Sequence, residues 1–168
     1  TFITKNIVLT AGHCCMEEPG KWCSNLKFFL DYNEGQSSGT FLPTEVHVPQ
    51  PWADSSTRMY DWCFMKMASD GPKHLPTASA YDPSKLAEFS SFGWPALPPY
   101  DGNDLWYATG QCAGTSPRWP PSGYDPCQTP NSTAMIYMTC NTMTPGCSGG
   151  PWYHPALGVF GHNSALIE

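Results

Sequence analysis

The chain contains 168 residues, of which 18 are proline and 15 are glycine. Because both residues interrupt regular structure, this content excludes long helices and favours short strands joined by many turns. Aromatic residues make up 14% of the chain and charged residues 13%. That balance argues against an intrinsically disordered protein, since disordered chains are usually rich in charge and poor in aromatic residues.

The charge and hydropathy of the chain argue against two classes of binding partner, nucleic acids and membranes. The formal net charge is -6 and no basic stripe is present, so nucleic acid is not expected as a partner. No apolar run approaches the roughly 20 residues that a membrane-spanning helix requires, so no membrane partner is expected either.

The eight cysteines point to the compartment of the protein. None of them forms a C-x-x-C pair, so zinc ribbons and dithiol redox motifs are poorly supported, and no metal or other cofactor is predicted. An even number of cysteines at wide spacing instead indicates disulfides in an oxidising compartment. Residues 131–133 (NST) form a glycosylation sequon, which also favours a secreted glycoprotein.

Short strands are predicted along the whole chain, separated by turn-rich segments. In order, they lie at residues 1–10, 26–30, 46–49, 61–67, 89–94, 105–109, 134–138 and 156–160. Residues 71–85 are rich in Pro, Ser and Ala and are the best candidate linker, which suggests a first lobe over residues 1–80 and a second over residues 81–168. This spacing indicates an all-β barrel or sandwich. The chain opens in what reads as the middle of a strand, so we expect a mature or truncated piece.

Residues 144–151 (TPGCSGGP) are the most unusual stretch of the chain. Glycine tolerates backbone angles that other residues cannot adopt, so this run can hold Ser148 on a tight, exposed turn. The backbone N–H groups of Gly146 and Ser148 would then point into a common hollow. A hydroxyl beside such N–H groups can attack a carbonyl and stabilise the oxyanion that forms, whereas the simpler interpretation is a plain Gly/Pro loop.

Two further residues favour the chemical interpretation. His13 follows a predicted strand, and Asp61 begins another. An imidazole near neutral pH can take the proton of a hydroxyl, and a carboxylate on the far ring nitrogen fixes the imidazole tautomer. The order His13, Asp61, Ser148 therefore predicts a catalytic triad.

Three segments resemble the motifs of the trypsin-like serine peptidases. They are residues 9–14 (LTAGHC), 60–67 (YDWCFMKM) and 146–151 (GCSGGP). The details resemble the bacterial and fungal branch related to glutamyl endopeptidases, in which a Trp follows the Pro, as Trp152 does, and a Cys precedes the Ser by eight residues, as Cys140 does. Residues 92–95 (FGWP) and 99–102 (PYDG) also look like that branch.

The resemblance implies an all-β, two-barrel chymotrypsin-like fold, with His13 and Asp61 on the first lobe and Ser148 on the second. It also implies an oxyanion hole formed by the amides of Gly146 and Ser148. Against the family pattern, the chain is expected to be incomplete at both ends, since the first strands of the family should precede Thr1 and its closing strands should follow Glu168.

The cysteines depart from the family pattern. The trypsin branch has an Asp directly before the Ser, where a freed N-terminal amine locks the site, but here that residue is Cys147. Activation by such a salt bridge is therefore not expected, and Cys147 should be disulfide-bonded or buried in apolar surroundings. The family partner of Cys14 lies upstream in many relatives, so Cys15 or Cys23 could substitute for it. Cys63 is expected in the core or in a disulfide.

The sequence does not fix which substrates are selected. The family pocket is shaped by residues before the nucleophile and by the strand after it, and that strand can be aligned with either Phe160 and Gly161 or Asn163 and Ser164 beside the pocket. In relatives with glutamyl specificity, a histidine on this strand and a threonine before the motif serve the pocket. The candidate pocket residues are Thr142, Met143, Thr144, Phe160, Gly161, His162, Asn163 and Ser164.

The sequence thus predicts a secreted serine endopeptidase that cleaves a peptide or protein substrate through an acyl-enzyme. The alternative is a catalytically silent, protease-like module within an extracellular protein assembly. An esterase is disfavoured because no helix is predicted after Ser148. A zinc site on His13, Cys14, Cys15 and Cys23 is disfavoured because the spacing is unusual.

Overall fold

The computed structural model describes residues 1–78, 88–110, 113–116, 135–138 and 143–164. Strands dominate it, as predicted, and the helices are one short α-helix, α1 (Gln50–Ser55), and two 3-10 turns, Gly12–Cys14 and Arg58–Tyr60. In the first half the strands are β1 (Ile7–Thr10), β2 (Met16–Glu18), β3 (Lys21–Trp22), β4 (Phe28–Leu30), β5 (Gly39–Phe41), β6 (Pro43–His47) and β7 (Cys63–Met67). In the second half they are β8 (Phe89–Gly93), β9 (Trp106–Gly110), β10 (Ala113–Ser116), β11 (Met135–Met138), β12 (Pro151–His154) and β13 (Gly158–His162).

The main sheet of the first half has the strand order β1-β7-β6, and both pairings are antiparallel. Thr10 at the end of β1 faces Cys63 at the start of β7. The segment that leaves β1 and the segment that enters β7 therefore lie at the same edge of the sheet. This register brings His13 and Asp61 together, although 48 residues separate them.

Strand β7, the central strand of this sheet, has one buried face. Cys63, Met65 and Met67 are buried, whereas Lys66 between them is exposed, which is the period of two expected for a strand with one buried face. The buried face meets Phe2, whose ring packs edge-on against two neighbouring aromatic rings. Those rings are Phe28, with a centroid separation of 5.2 Å, and Phe41, at 5.1 Å.

The main sheet of the second half has the order β13-β12-β8-β9. Its core is aromatic: the ring of Phe89 lies 5.1 Å from that of Trp152 and 5.2 Å from that of Phe160, centroid to centroid. Strands β10 and β11 form a separate two-stranded antiparallel sheet. This sheet carries both the turn with Ser148, which enters β12, and the segment that leaves β13.

The two halves are joined by main-chain contacts near the predicted linker. Thr77 forms a parallel bridge with Val159, and Ala78 N–H donates to the Val159 carbonyl at 2.8 Å. The predicted lobe boundary at residues 80 and 81 lies outside the described residues, so that division stays a prediction. Where the structure describes the chain, no helix has the length and apolarity needed to cross a bilayer.

A disulfide joins Cys15 to Cys63, across a sequence separation of 48 residues. It ties the turn that carries His13 to the first residue of β7. Neither suggested partner of Cys14 is bonded to it. Cys15 is bonded to Cys63, and neither Cys23 nor Cys14 forms a disulfide with a cysteine that the structure describes. The disulfide interpretation of Cys63 is confirmed.

The cross-link should contribute strongly to stability. We expect the double variant Cys15→Ala/Cys63→Ala to lose about 4 kcal/mol of unfolding free energy, because the unfolded chain regains the entropy of a loop of this length. Urea denaturation followed by tryptophan fluorescence measures this loss. Cys23→Ala is the control, since its thiol is unpaired, and should change the value by less than about 1 kcal/mol. Equal stability of wild type and the double variant would contradict the assignment.

Candidate active site

The side chains of His13 and Asp61 form the centre of the site. The Nδ1 atom of His13 lies 2.9 Å from Oδ2 of Asp61, and the backbone N–H of His13 donates to Oδ1 at 2.8 Å. Both bonds come from one residue, so they hold the imidazole ring and its own main chain against the same carboxylate. Because a carboxylate accepts, the bond to Nδ1 places the proton of the neutral ring on Nδ1 and leaves Nε2 of that form free to take a proton.

Asp61 is buried, with 3% of its surface exposed. The hydroxyl of Ser164 donates a third hydrogen bond to it, at Oδ2. Burial by itself would raise the pKa of the Asp61 carboxyl, but the hydrogen bonds from His13 and Ser164 outweigh it and lower that pKa. Asp61 therefore stays ionised at neutral pH.

The carboxylate acts in turn on His13. The hydrogen bond to Asp61 raises the pKa of the His13 imidazole above its usual range, and the neighbouring side chain of Cys14 raises it further. Partial burial of the ring opposes this shift without cancelling it. The protonated form of His13 is thus stabilised, with a pKa of about 10. A proton can be accepted only by the neutral ring, which this pKa makes the minor form near neutral pH before a substrate binds.

Trp52 supports this pair, and the sequence interpretation missed it. Its indole N–H donates to the Met16 carbonyl at 3.1 Å, which fixes the ring. A Cβ added to Gly12 would lie about 3.0 Å from Oδ1 of Asp61 and 3.1 Å from the indole ring. Only glycine lets the indole and the carboxylate approach this closely. The glycine directly before His13 was a local signal of close packing.

The turn that carries Ser148 lies against the end of β1. Gly149 packs on Thr10 and Ala11, and any side chain there would collide with both. It also has a φ of 77°, in the left-handed region that favours glycine. Ser148 itself is half-buried, and its hydroxyl has no hydrogen-bond partner among the described residues. Gly149 therefore brings the turn next to the segment that leads into His13.

The backbone of this turn leaves two N–H groups without an acceptor in the described part of the chain, those of Gly146 and Ser148. The intervening N–H of Cys147 donates to the Thr144 carbonyl, and that of Gly149 donates to the Asn163 carbonyl. Gly146 has a φ of 104°, and a Cβ there would strike the Trp94 carbonyl. The two N–H groups predicted to form an oxyanion hole are thus available to a ligand.

Asn163 anchors the same turn through all its side-chain hydrogen-bonding positions. Its Nδ2 donates to the carbonyls of Phe92 (2.9 Å) and Cys147 (3.1 Å), while its Oδ1 accepts from Ser91 (2.7 Å) and Trp152 (2.6 Å). Because a peptide unit is planar and trans, holding the Cys147 carbonyl towards Asn163 directs the Ser148 N–H to the opposite side. Asn163 was predicted at the substrate pocket, and its side chain here is engaged within the second sheet.

The remaining candidate pocket residues lie in different surroundings. Met143 is buried in a cluster with Ala108 and Cys147, and the Phe160 ring packs on Phe89 and Trp152. Gly161 pairs with Trp152 in the sheet. Thr144 is partly exposed on the loop before the turn, where its hydroxyl accepts from the Leu97 N–H.

His162 and Ser164 both turn towards Asp61. The His162 Nε2 atom lies 2.7 Å from the Asp61 carbonyl oxygen, and Ser164 reaches the carboxylate. Thr142 lies outside the described residues. As a result, His13, His162 and Ser164 each contact Asp61, and the Ser148 turn packs on the segment that leads into His13.

Cys147 is buried, with 3% of its surface exposed, and forms no disulfide within the described part of the chain. It packs on Gly93, Ala108 and Met143, and burial raises the pKa of its thiol. The predicted apolar surroundings are confirmed, and a thiol in this position is poorly suited to attack. Within the described residues, no three His, Cys, Asp or Glu side chains are arranged to hold a metal ion, and Cys15 is already bonded to Cys63.

No protein-family model and no curated protein matches the chain. Solved structures do match it over almost its whole length. A thermostable serine protease, AL20, from an extremophilic microorganism has a TM-score of 0.71 and 24% identity, over 98% of this chain and 70% of its own.

Two further structures give similar values. Protease Anisep from Arthrobacter nicotinovorans has a TM-score of 0.70 and 28% identity, over 98% of this chain and 69% of its own. A Glu endopeptidase solved in complex with MPD has a TM-score of 0.72 and 19% identity, over 99% of this chain and 73% of its own. The all-β architecture and these matches agree with the motifs at His13, Asp61 and Ser148: the chain has the two-barrel fold of the chymotrypsin-like serine peptidases.

Proposed function

We propose that this chain is a serine endopeptidase whose catalytic residues are His13, Asp61 and Ser148. The observation that carries the proposal is the 2.9 Å contact between Nδ1 of His13 and the buried carboxylate of Asp61, at the edge where the Ser148 turn packs. A buried carboxylate is costly unless hydrogen-bond donors replace water, and here it accepts three bonds. The similarity to bacterial serine proteases supports the same reaction class.

The reaction follows from the proton positions. Nε2 of His13 takes the proton of the Ser148 hydroxyl as its oxygen attacks the carbonyl carbon of a peptide bond. The carbonyl oxygen becomes an oxyanion, which accepts hydrogen bonds from the N–H groups of Gly146 and Ser148. His13 then returns the proton to the leaving amine, the C–N bond breaks, and an acyl-enzyme remains. Water, deprotonated by His13, attacks this ester and releases the acid.

The Asp61 carboxylate keeps the proton of His13 on Nδ1 and stabilises the imidazolium that forms in both steps. Ser164 supplies a further donor to the carboxylate, so its negative charge is held in one orientation. The hydroxyl of Ser148 has no hydrogen bond to any residue that the structure describes, and catalytic hydrogen bonds of this kind are often long until the substrate binds.

The substrate is a polypeptide, and its side chain would enter a pocket between the residues before the turn and the segment after β13. Thr144 is the described residue best placed to contribute, because its hydroxyl lies on a partly exposed loop. One structural neighbour is a Glu endopeptidase, which makes glutamyl substrates the first to test. The Cys15–Cys63 disulfide supports an extracellular location, where a glycosylated Asn131 would also be expected.

A catalytically silent module within an extracellular assembly is the second candidate. It is favoured by one observation, the absence of any hydrogen bond between Ser148 and His13 in the described structure. The two candidates differ in the reactivity of Ser148.

A fluorophosphonate probe separates them. We expect it to label the wild-type chain at Ser148, because activated serine hydroxyls attack the phosphorus centre, and to leave Ser148→Ala unlabelled. Intact-mass spectrometry measures the adduct. Ser38→Ala is the control, since this exposed serine lies outside the site and its variant should label fully. A well-folded wild type that stays unlabelled would favour the silent module.

Titration of the His13 ring tests its hydrogen bond with Asp61 directly. In Asp61→Asn the pKa of His13 should fall towards its ordinary value of about 6.5, since the main cause of its increase is removed. The sign follows because the carboxylate favours the protonated ring, so its loss lets the proton leave at lower pH. NMR titration of the His13 ring protons measures the shift.

The control for this titration is Asp101→Asn, on an exposed loop, which should leave the His13 curve unchanged. If Asp61→Asn gave a curve identical to wild type, the pair would not exist in solution.

A further inference from the structure

His162 is a histidine that the proposed mechanism does not use. It ends β13 in the second half of the chain, yet its Nε2 lies 2.7 Å from the main-chain carbonyl of Asp61. Two residues further on, Ser164 binds the carboxylate of the same Asp61. In extended chain, residues i and i+2 face the same way, so one short segment holds Asp61 by its main chain and by its side chain.

The hydrogen bond between His162 and the Asp61 carbonyl shows which ring nitrogen of His162 carries the proton. A carbonyl oxygen can only accept, so Nε2 of His162 must carry the hydrogen. Burial lowers the pKa of His162, which keeps the ring neutral, and a neutral imidazole has a single N–H. That N–H is used by Asp61. A substrate carboxylate, which needs a donor, would have to break this bond or protonate the ring.

The local backbone of Asp61 shows what the bond stabilises. Asp61 has φ -74° and ψ 63°, and the N–H of Trp62 donates to the Tyr60 carbonyl at 2.8 Å. These are the angles and the bond of an inverse γ-turn with Asp61 at its centre. Such a turn closes with one hydrogen bond, and its central carbonyl points outwards. His162 binds that carbonyl and so fixes the peptide plane next to the Asp61 side chain.

We propose that His162 is a positioning residue, which locks the γ-turn at Asp61 and thereby aligns the carboxylate with His13. The effect of His162 on the reactivity of Ser148 rests on the proposed peptidase function. The alignment of Asp61 with His13 does not, because it can be measured without activity. It differs from the pocket role predicted from the sequence, in which His162 would bind the substrate side chain.

Two variants of His162 with side chains of similar size test whether its hydrogen-bond donor positions Asp61. His162→Gln keeps an N–H donor at about the reach of Nε2, whereas His162→Leu removes the donor and keeps the bulk. We expect the leucine variant to react with the fluorophosphonate about ten-fold more slowly than wild type, which corresponds to about 1.4 kcal/mol. The glutamine variant should recover to within about three-fold, because a hydrogen bond of ordinary strength is restored.

Steady-state kinetics on peptides that differ only in Glu or Ala before the cleaved bond test the pocket role. We expect His162→Leu to lower kcat for both peptides, with KM and the preference between them unchanged. A loss confined to a higher KM for the Glu peptide, with kcat retained, would overturn the positioning role.

Proton NMR supplies a readout that needs no turnover. The Nδ1 proton of His13, bound to a carboxylate, should give a far-downfield signal in wild type and in His162→Gln, and this signal should be lost or move upfield in His162→Leu. An unchanged signal in a folded His162→Leu would overturn the proposal. If the wild type shows the signal but Ser148 stays unlabelled, the peptidase proposal fails and the positioning role is still tested.

If His162→Leu does not fold, the tautomer of His162 in the wild-type protein can still be measured and tests the same hydrogen bond. Long-range nitrogen–proton correlation spectra should show a proton on Nε2 and none on Nδ1 at neutral pH. A ring that carries its proton on Nδ1, or on both nitrogens, would contradict the bond to the Asp61 carbonyl.

Discussion

The burial of the Asp61 carboxylate is the constraint on which the site depends. An ionised carboxylate removed from water is strongly unfavourable unless hydrogen-bond donors replace the lost solvent. Here the donors are the main chain and the ring of His13 and the hydroxyl of Ser164. They come from distant parts of the chain, so the carboxylate can be satisfied only when the two sheets are assembled.

The strand register of the first sheet brings His13 and Asp61 together. The pairing of Thr10 with Cys63 places the segments that carry His13 and Asp61 at one edge, and the disulfide from Cys15 to Cys63 holds that edge together. Gly12 then allows both the Trp52 ring and the Asp61 carboxylate to pack closely against its backbone. A one-residue slip of β1 against β7 would shift His13 relative to Asp61 and also move the buried Val8 of β1 to the other face of the sheet.

Residues 162–164 connect this edge to the Ser148 turn. His162 and Ser164 face Asp61, while Asn163 between them faces the opposite way and binds the Cys147 carbonyl. The alternation of an extended chain therefore lets three consecutive residues serve both ends of the site. The same alternation explains why the pocket assignments for this segment were hard to make from the sequence, since each neighbouring residue has a different environment.

The sequence alone determined the class of fold and the candidates for the triad, because short motifs around His13, Asp61 and Ser148 need particular neighbours such as Gly146 and Gly149. It also predicted an apolar environment for Cys147 as one of two alternatives. Only the tertiary structure decided that Cys15 pairs with Cys63, that Trp52 and Asp61 both pack against Gly12, and that the side chain of Asn163 is bound within the second sheet. These features depend on contacts between residues far apart in the chain, and a single sequence contains local preferences but not the register and packing that create such contacts.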